Sequence, residues 1–189
     1  CLGVTICEDL WTEDFQERPL YDRDPVRQLS KQGIDVLLNL SASPYHLGKP
    51  ELRRKLVGEV AKSCGVPVIY ANSVGANDEL IFDGHSLVAA PDGRIALEMN
   101  GFKGECSVVD LNHLPAEETS TATSAPEARL YSALVLGLRE YAWKCGFRSV
   151  CLGLSGGTDS ALVEVVAAEA LGPGNVHGLT MPSGYSSPR

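Results

Sequence analysis

A chain of 189 residues, 44% of them apolar and 21% charged, has room for one large domain or two small ones. Its formal charge of −8 argues against nucleic acid or an anionic membrane surface as a partner. No apolar run approaches the roughly 20 residues of a membrane span, and the opening residues do not read as a signal peptide. The six cysteines (Cys1, Cys7, Cys64, Cys106, Cys145 and Cys151) have no Cys-x-x-Cys spacing and lie mostly in apolar stretches. They predict reduced thiols in a cytoplasmic protein, with no zinc site. The four histidines are scattered and suggest no metal cluster. The sequence opens inside an apolar stretch and stops in a loop, so an internal piece of a longer polypeptide is expected.

In chain order, Leu2 to Ile6 predicts a short buried strand ending on Cys7-Glu8-Asp9-Leu10-Trp11. Thr12 to Asp24 is polar and predicts a surface loop. Val26 to Gln32 predicts a short helix stopped by Gly33, and Ile34 to Leu40 a second buried strand. Glu51 to Cys64 is amphipathic: Leu52, Leu56, Val60 and Cys64 fall four apart, and Gly65 closes the helix. Pro67 to Asn72 predicts a third strand. Gly84 to Ala90 and Arg94 to Glu98 form a hairpin around Pro91-Asp92-Gly93, and Glu105 to Leu111 predicts a further strand. Strands alternating with helices, then a strand pair, indicate an α/β sheet with an antiparallel edge.

Pro115 to Pro126, dominated by Ser, Thr, Ala and Glu, reads as a linker. Glu127 to Cys145 predicts a helix, Val150 to Leu154 a strand, and Asp159 to Leu171 a helix apolar on most faces and therefore buried. Asn175 to Pro182 then predicts a parallel strand that completes a βαβ unit. His177, mid-strand among apolar neighbours, reads as structural.

Between that strand and helix lies Gly153-Leu154-Ser155-Gly156-Gly157-Thr158-Asp159-Ser160. Two glycines without Cβ let the backbone approach a ligand, and the loop N–H groups and first helical turn converge on one spot suited to phosphate. Ser155 and Ser160 add hydroxyl donors. Asp159 would repel phosphates unless Mg²⁺ sits between them. The stretch is neither a Walker A loop nor a Gly-x-Gly-x-x-Gly fingerprint. Ser-Gly-Gly-x-Asp-Ser resembles the pyrophosphate-binding loop of the N-type ATP pyrophosphatases, which split ATP into AMP and pyrophosphate to adenylate a substrate.

Cys7 ends a strand where a nucleophile can be presented to a pocket, although a lone thiol there is more often a small buried hydrophobe. Adjacent carboxylates oppose thiolate formation unless a Lys offsets them. Taken together, Ile6 to Trp11, Asn39 to Pro44 with Gly48-Lys49, and Val74 to Gly84 resemble the nitrilase-type glutaminase domain of the glutamine-dependent NAD⁺ synthetases. From Glu127 onward, including Leu171 to Gly178 and Met181 to Ser187, the chain resembles the synthetase domain of the same family.

The resemblance implies an α/β chain of three parts. These are the C-terminal part of a nitrilase-type α/β sandwich (1–114), a linker (115–126), and the first βαβ unit of a Rossmann-like (adenine nucleotide alpha hydrolase-like) parallel sheet (127–189). It implies Cys7 as the nucleophile that forms a γ-glutamyl thioester and releases ammonia, with Glu8, Ser43 and Lys49 near glutamine and Ser43 and Lys49, rather than Glu8, in direct contact with it. Lys49 reads as readily as a solvated surface lysine, and Asn77 to Asp83 as a pocket loop, an interface loop or a capped turn. The triad's Glu and Lys lie upstream of Cys7 in the family and are absent from this sequence, so this chain by itself is expected not to hydrolyse glutamine.

In the synthetase half the resemblance implies ATP at Gly153, Leu154, Ser155, Gly156, Gly157, Thr158, Asp159, Ser160, Met181 and Ser183, with Asp159 on Mg²⁺. Gly184 stands where the family commonly has a basic residue. The implied reaction is amidation of nicotinate adenine dinucleotide to NAD⁺, driven by ATP and fed by glutamine, in a cytoplasmic homo-oligomer. Another amidotransferase with the same ATP loop, or an inactive assembly piece, are the other readings.

Overall fold

The computed structural model describes residues 1–11, 24–118 and 125–182. The predicted surface loop therefore lies outside the described residues except for Asp24, and so do residues 119–124 of the predicted linker. The chain divides into two compact units, Cys1–Val74 with Phe82–Ala125, and Gly75–Ile81 with Pro126–Arg189.

The first unit is built from β1 (Leu2–Ile6), α1 (Pro25–Ser30), β2 (Val36–Ser41), α2 (Lys49–Cys64) and β3 (Val68–Asn72). After β4 (Val74–Asn77) and β5 (Leu80–Asp83) come β6 (Leu87–Ala89) and β7 (Ile95–Glu98). A five-stranded sheet runs β1-β2-β3-β6-β7: the first three strands are parallel, and β6 and β7 form an antiparallel edge. The parallel part follows from sequence, because each apolar strand is returned by a helix to start again at the same end.

Asp24 caps α1 by accepting the Arg27 N–H at 2.9 Å. Gly65, in the left-handed conformation, ends α2 by donating to the Ala61 carbonyl at 2.9 Å. Leu56, Val57, Val60 and Ala61 of α2 pack with Leu37, Val68, Leu87, Ala89 and Ile95 to form the core.

Three expectations are corrected. β1 is buried on one side only: Gly3 and Thr5 face inward, while Leu2, Val4 and Ile6 lie exposed. The inward side is close-packed at Gly3, where an added Cβ would stand 2.9 Å from Ile34 Cδ1 and push that side chain aside. Glu105 to Leu111 forms no strand; it joins no ladder, and Val108 is 97% exposed. A strand needs a partner for its backbone groups. The start of this segment is fastened by side chains instead, with Glu105 accepting from Asn100 Nδ2 at 2.9 Å. Conversely, β4 and β5, where the sequence predicts no strand, pair as a hairpin that turns at Asp78 with φ +50°.

The second unit contains α3 (Pro126–Lys144), β8 (Val150–Gly153), α4 (Thr158–Leu171) and β9 (Val176–Leu179), with β8 and β9 parallel. A short 3-10 turn, Pro173–Asn175, precedes β9. The third correction concerns α4, which is not buried on most faces. Val166, Ala167 and Ala170 are buried, whereas Leu162, Val163 and Val165 are more than half exposed. Val166 and Ala170 pack with Val135 of α3, and a two-stranded sheet leaves the remaining faces of so apolar a helix uncovered.

A Cβ on Gly58 of α2 would stand 2.5 Å from the Gly93 carbonyl oxygen, which is backbone and cannot swing aside. Gly58→Ala is therefore expected to destabilise the first unit by about 1–3 kcal/mol. Gly174→Ala, with nothing within 4 Å of its added Cβ, should leave stability nearly unchanged. Urea unfolding of the two variants checks the contrast.

Candidate functional site

Cys7 follows β1 directly and adopts φ +49°, a left-handed conformation that costs a non-glycine residue roughly 1–2 kcal/mol. The surroundings hold it there. The 3-10 turn Cys7–Leu10 begins at once, Asp9 accepts the Ile6 N–H at 2.9 Å, and Leu10 is sunk in the core. Asn39 Nδ2 donates to the Cys7 carbonyl at 3.3 Å. The partly exposed thiol lines a cleft of about 480 Å³, together with Ile6, Leu40, Ser41, Asn72 and Ser73. The cleft opens at the carboxyl ends of the parallel strands, the usual position for ligands in α/β sheets.

Lys49 is the first residue of α2, and its ammonium lies 4.4 Å from the centre of the Trp11 ring. Burial holds its pKa below the ordinary 10.5, and the like charge of Arg53 adds to that. Cys7, Asp83 and Glu8 act in the opposite direction, which puts Lys49 in one electrostatic neighbourhood with the thiol and Glu8. Glu8 itself is exposed in the first turn after Cys7.

Ser43, expected in direct contact with glutamine, is instead buried and does not line the cleft; its neighbour Ala42 does. Its polar groups are held from within. Asn72 Oδ1 accepts the Ser43 N–H at 2.9 Å, and Arg53 donates to the Ser43 carbonyl at 3.2 Å and to its Oγ at 3.4 Å. Arg53, 1% exposed, also forks onto the Asp83 carboxylate at 2.6 and 2.9 Å. Burial raises the Tyr70 phenol above the ordinary 10.0, opposed by hydrogen bonds from Ser41 and Ser43 and by the Arg53 charge.

Arg53, Asn72 and Tyr70 were not singled out from sequence. A signal for Arg53 did exist: it falls four residues before Val57 and seven before Val60, on the buried stripe of an amphipathic helix. A charge there implies a buried partner.

In the second unit, Gly153 ends β8, and Leu154 donates its N–H to the Leu179 carbonyl at 2.8 Å. Ser155 Oγ accepts the Gly157 N–H at 3.2 Å and lies 3.2 Å from Ser160 Oγ, which in turn donates to the Gly157 carbonyl at 3.0 Å. Gly156 takes φ +78°, a conformation open to glycine at no steric cost. Gly157 precedes α4 without a side-chain cap, so no side chain of its own covers the first-turn N–H groups. Thr158 and Asp159 are exposed in that first turn. Met181 reaches back to Gly153, with its Cε 3.4 Å from where a Cβ would be. Ser183 lies outside the described residues. Among the described residues no group of three or more His, Cys, Asp or Glu stands together to hold a metal ion.

Residues 1–119 match the carbon–nitrogen hydrolase family, and residues 130–189 match NAD synthase. The glutamine-dependent NAD(+) synthetase of Synechocystis sp. is 44% identical over 191 residues, covering 98% of this chain and 34% of that protein. The one from Rhodobacter capsulatus is 42% identical, covering 98% of this chain and 33% of its own length. Among solved structures, the glutamine-dependent NAD+ synthetase from Acinetobacter baumannii in complex with adenosine diphosphate superposes with a TM-score of 0.85. It is 38% identical, covering 98% of this chain and 34% of that one. This chain thus spans about a third of the length of the curated relatives it matches.

The lowered pKa of Lys49 has a definite sign in stability. The fold disfavours its charged form, so between the lowered value and 10.5 the unfolded chain binds more protons, and stability rises with pH. The penalty is fully present below the folded pKa and gone above 10.5. Wild type should therefore gain stability relative to Lys49→Met as pH is raised through that window, with a constant difference at lower pH. Paired urea midpoints across the range measure it.

Proposed function

Since this chain belongs to the carbon–nitrogen hydrolase family, we propose that the polypeptide carrying it cleaves the side-chain amide of glutamine at Cys7 and spends the ammonia in making NAD⁺. The observation that carries this reading is the cysteine itself. It is held in a left-handed turn at the end of β1, on the lip of a cleft.

The Cys7 thiolate adds to the amide carbon, the carbon–nitrogen bond breaks, and the nitrogen takes up a proton and leaves as ammonia. Water then cleaves the γ-glutamyl thioester, giving glutamate and the free thiol. The base for these transfers is, by family resemblance, a Glu that this sequence does not contain. Lys49 supplies the cation that glutamine's α-carboxylate requires, and Glu8 an acceptor for its ammonium. Ser43 belongs to the same pocket from behind the wall.

In the second unit, the carboxylate of nicotinate adenine dinucleotide attacks ATP, pyrophosphate leaves, and ammonia then displaces AMP from the adenylated carboxyl. Gly153 to Ser160 take the phosphates, with Ser155 and Ser160 hydroxyls beside the open first turn of α4. Met181, just beyond β9, takes the adenosine, and Ser183, outside the described residues, belongs to the same reading. The A. baumannii relative is in complex with ADP, which supports nucleotide binding by the polypeptide that carries this chain.

Mg²⁺ fits this loop: Asp159 is one exposed carboxylate in the first helical turn, and Mg²⁺ takes one or two protein carboxylates, completing its shell with phosphate oxygens and water. When bound, it neutralises charge on the departing pyrophosphate.

The domain division 1–114, 115–126 and 127–189 belongs to this reading, as do a homo-oligomeric state and a cytoplasmic location. No helix among the described residues is long and apolar enough to cross a membrane.

In the full-length enzyme, Cys7→Ala should lower ammonia release from glutamine by about 100-fold or more, while NAD⁺ formation from added ammonia continues. Asp159→Ala should do the reverse, losing pyrophosphate release and keeping glutamine hydrolysis. Coupled assays of glutamate and pyrophosphate read both. Normal pyrophosphate release by Asp159→Ala would refute the metal role, and undiminished glutaminase activity in Cys7→Ala the nucleophile.

A further inference from the structure

We propose that Arg53 is a positioning residue for amide cleavage, acting through Ser43 and Asn72 to fix the polar wall of the Cys7 cleft. This rests on reading that cleft as a glutamine site. The chain of contacts is continuous. Arg53 forks onto Asp83 with both carboxylate oxygens engaged, which leaves the guanidinium one orientation. In that orientation it donates to the carbonyl and hydroxyl of Ser43. Ser43 donates its N–H to Asn72 Oδ1, and Asn72 Nδ2 donates to the Gly84 carbonyl at 2.8 Å, one residue beyond Asp83.

The loop closes on itself: Arg53, Ser43, Asn72, Gly84 and Asp83 hold one another, with both charges out of water. Asn72 and Ala42, one bond from Ser43, line the cleft, as does Ser41 at the end of β2.

Arg53 also acts on Lys49 through charge. Its repulsion is the second cause, after burial, of the depressed lysine pKa, and Asp83 offsets it. A guanidinium locked to Asp83 thus sets both the position of the wall and the electrostatic environment of the cation near the thiol. No substrate atom needs to touch it. A residue acting in this way alters how glutamine is seated before it alters the chemistry at sulfur, so its loss should fall on KM.

The test uses the full-length enzyme. Arg53→Lys keeps the charge and one contact to Asp83 but cannot fork and reach Ser43 together. The KM for glutamine should rise about tenfold or more, kcat should stay within about threefold, and NAD⁺ synthesis from added ammonia should be unchanged. Asp83→Asn, which leaves the buried guanidinium without its countercharge while sparing Ser43, should raise KM in the same direction. Glutamine should also protect Cys7 from iodoacetamide less well in both variants, while the labelling rate without glutamine stays at the wild-type value.

A wild-type KM in both variants overturns the inference. Loss of kcat, ammonia-dependent synthesis and cooperative unfolding together would assign Arg53 to stability alone and overturn it equally. If the wild-type enzyme itself releases no ammonia from glutamine, the glutamine reading fails and takes this inference with it, and that arm separates the two failures.

Discussion

The ion pair between Arg53 and Asp83 is the constraint on which the first unit depends. Both groups are essentially out of water, at 1% and 0% exposure. Removing charges from water is expensive, and a buried pair repays it only with good geometry and further hydrogen bonds. Both conditions are met, by the two-pronged contact and by the donations to Ser43. Such a pair contributes little net stability against an apolar replacement. Deleting one partner, however, costs roughly 3–5 kcal/mol because the other is stranded. The pair therefore ties α2 to the end of β5 and to the segment after β2, three places far apart in sequence, and the cleft wall follows from that tie.

A second polar layer continues it beneath β1 and β2. Asn39 donates to Thr5 Oγ1 at 3.0 Å and accepts from Ser41 Oγ at 2.6 Å, while its second donor contact goes to the Cys7 carbonyl. A strand interior composed of Thr, Asn and Ser is unusual unless every polar group is satisfied. Here the satisfied groups lead to the residue in the strained turn. The two candidate sites thus use different physics: one locks side chains with a buried polar lattice, and the other bends a glycine-rich backbone around an open helix end.

Much of the architecture was legible in the sequence, because apolar runs returned by helices and closed by Gly65 or Gly93 admit few arrangements. Cys7 and the Ser155–Ser160 loop were legible as motifs at strand ends. The polar lattice was not, since it joins Arg53 to Asp83 and Ser43 to Asn72 across separations that no local pattern encodes. β1 departs from a fully buried strand because its apolar residues, Leu2, Val4 and Ile6, occupy its exposed side. Glu105 to Leu111 had strand composition, but composition cannot supply the neighbour a ladder requires.

The hairpin of β4 and β5 leaves the first unit and returns, with its tip Gly75–Ile81 belonging to the second. There Ile81 packs against Gly137, and Lys144 donates to the Ala76 carbonyl. A protease nick between 118 and 126 would consequently not yield two self-sufficient halves. The amino-terminal product would carry away seven residues that α3 needs, and the carboxy-terminal product would have bare patches at Gly137 and Lys144. The second unit is thus assembled from two separated stretches of the chain, Gly75–Ile81 and Pro126–Arg189.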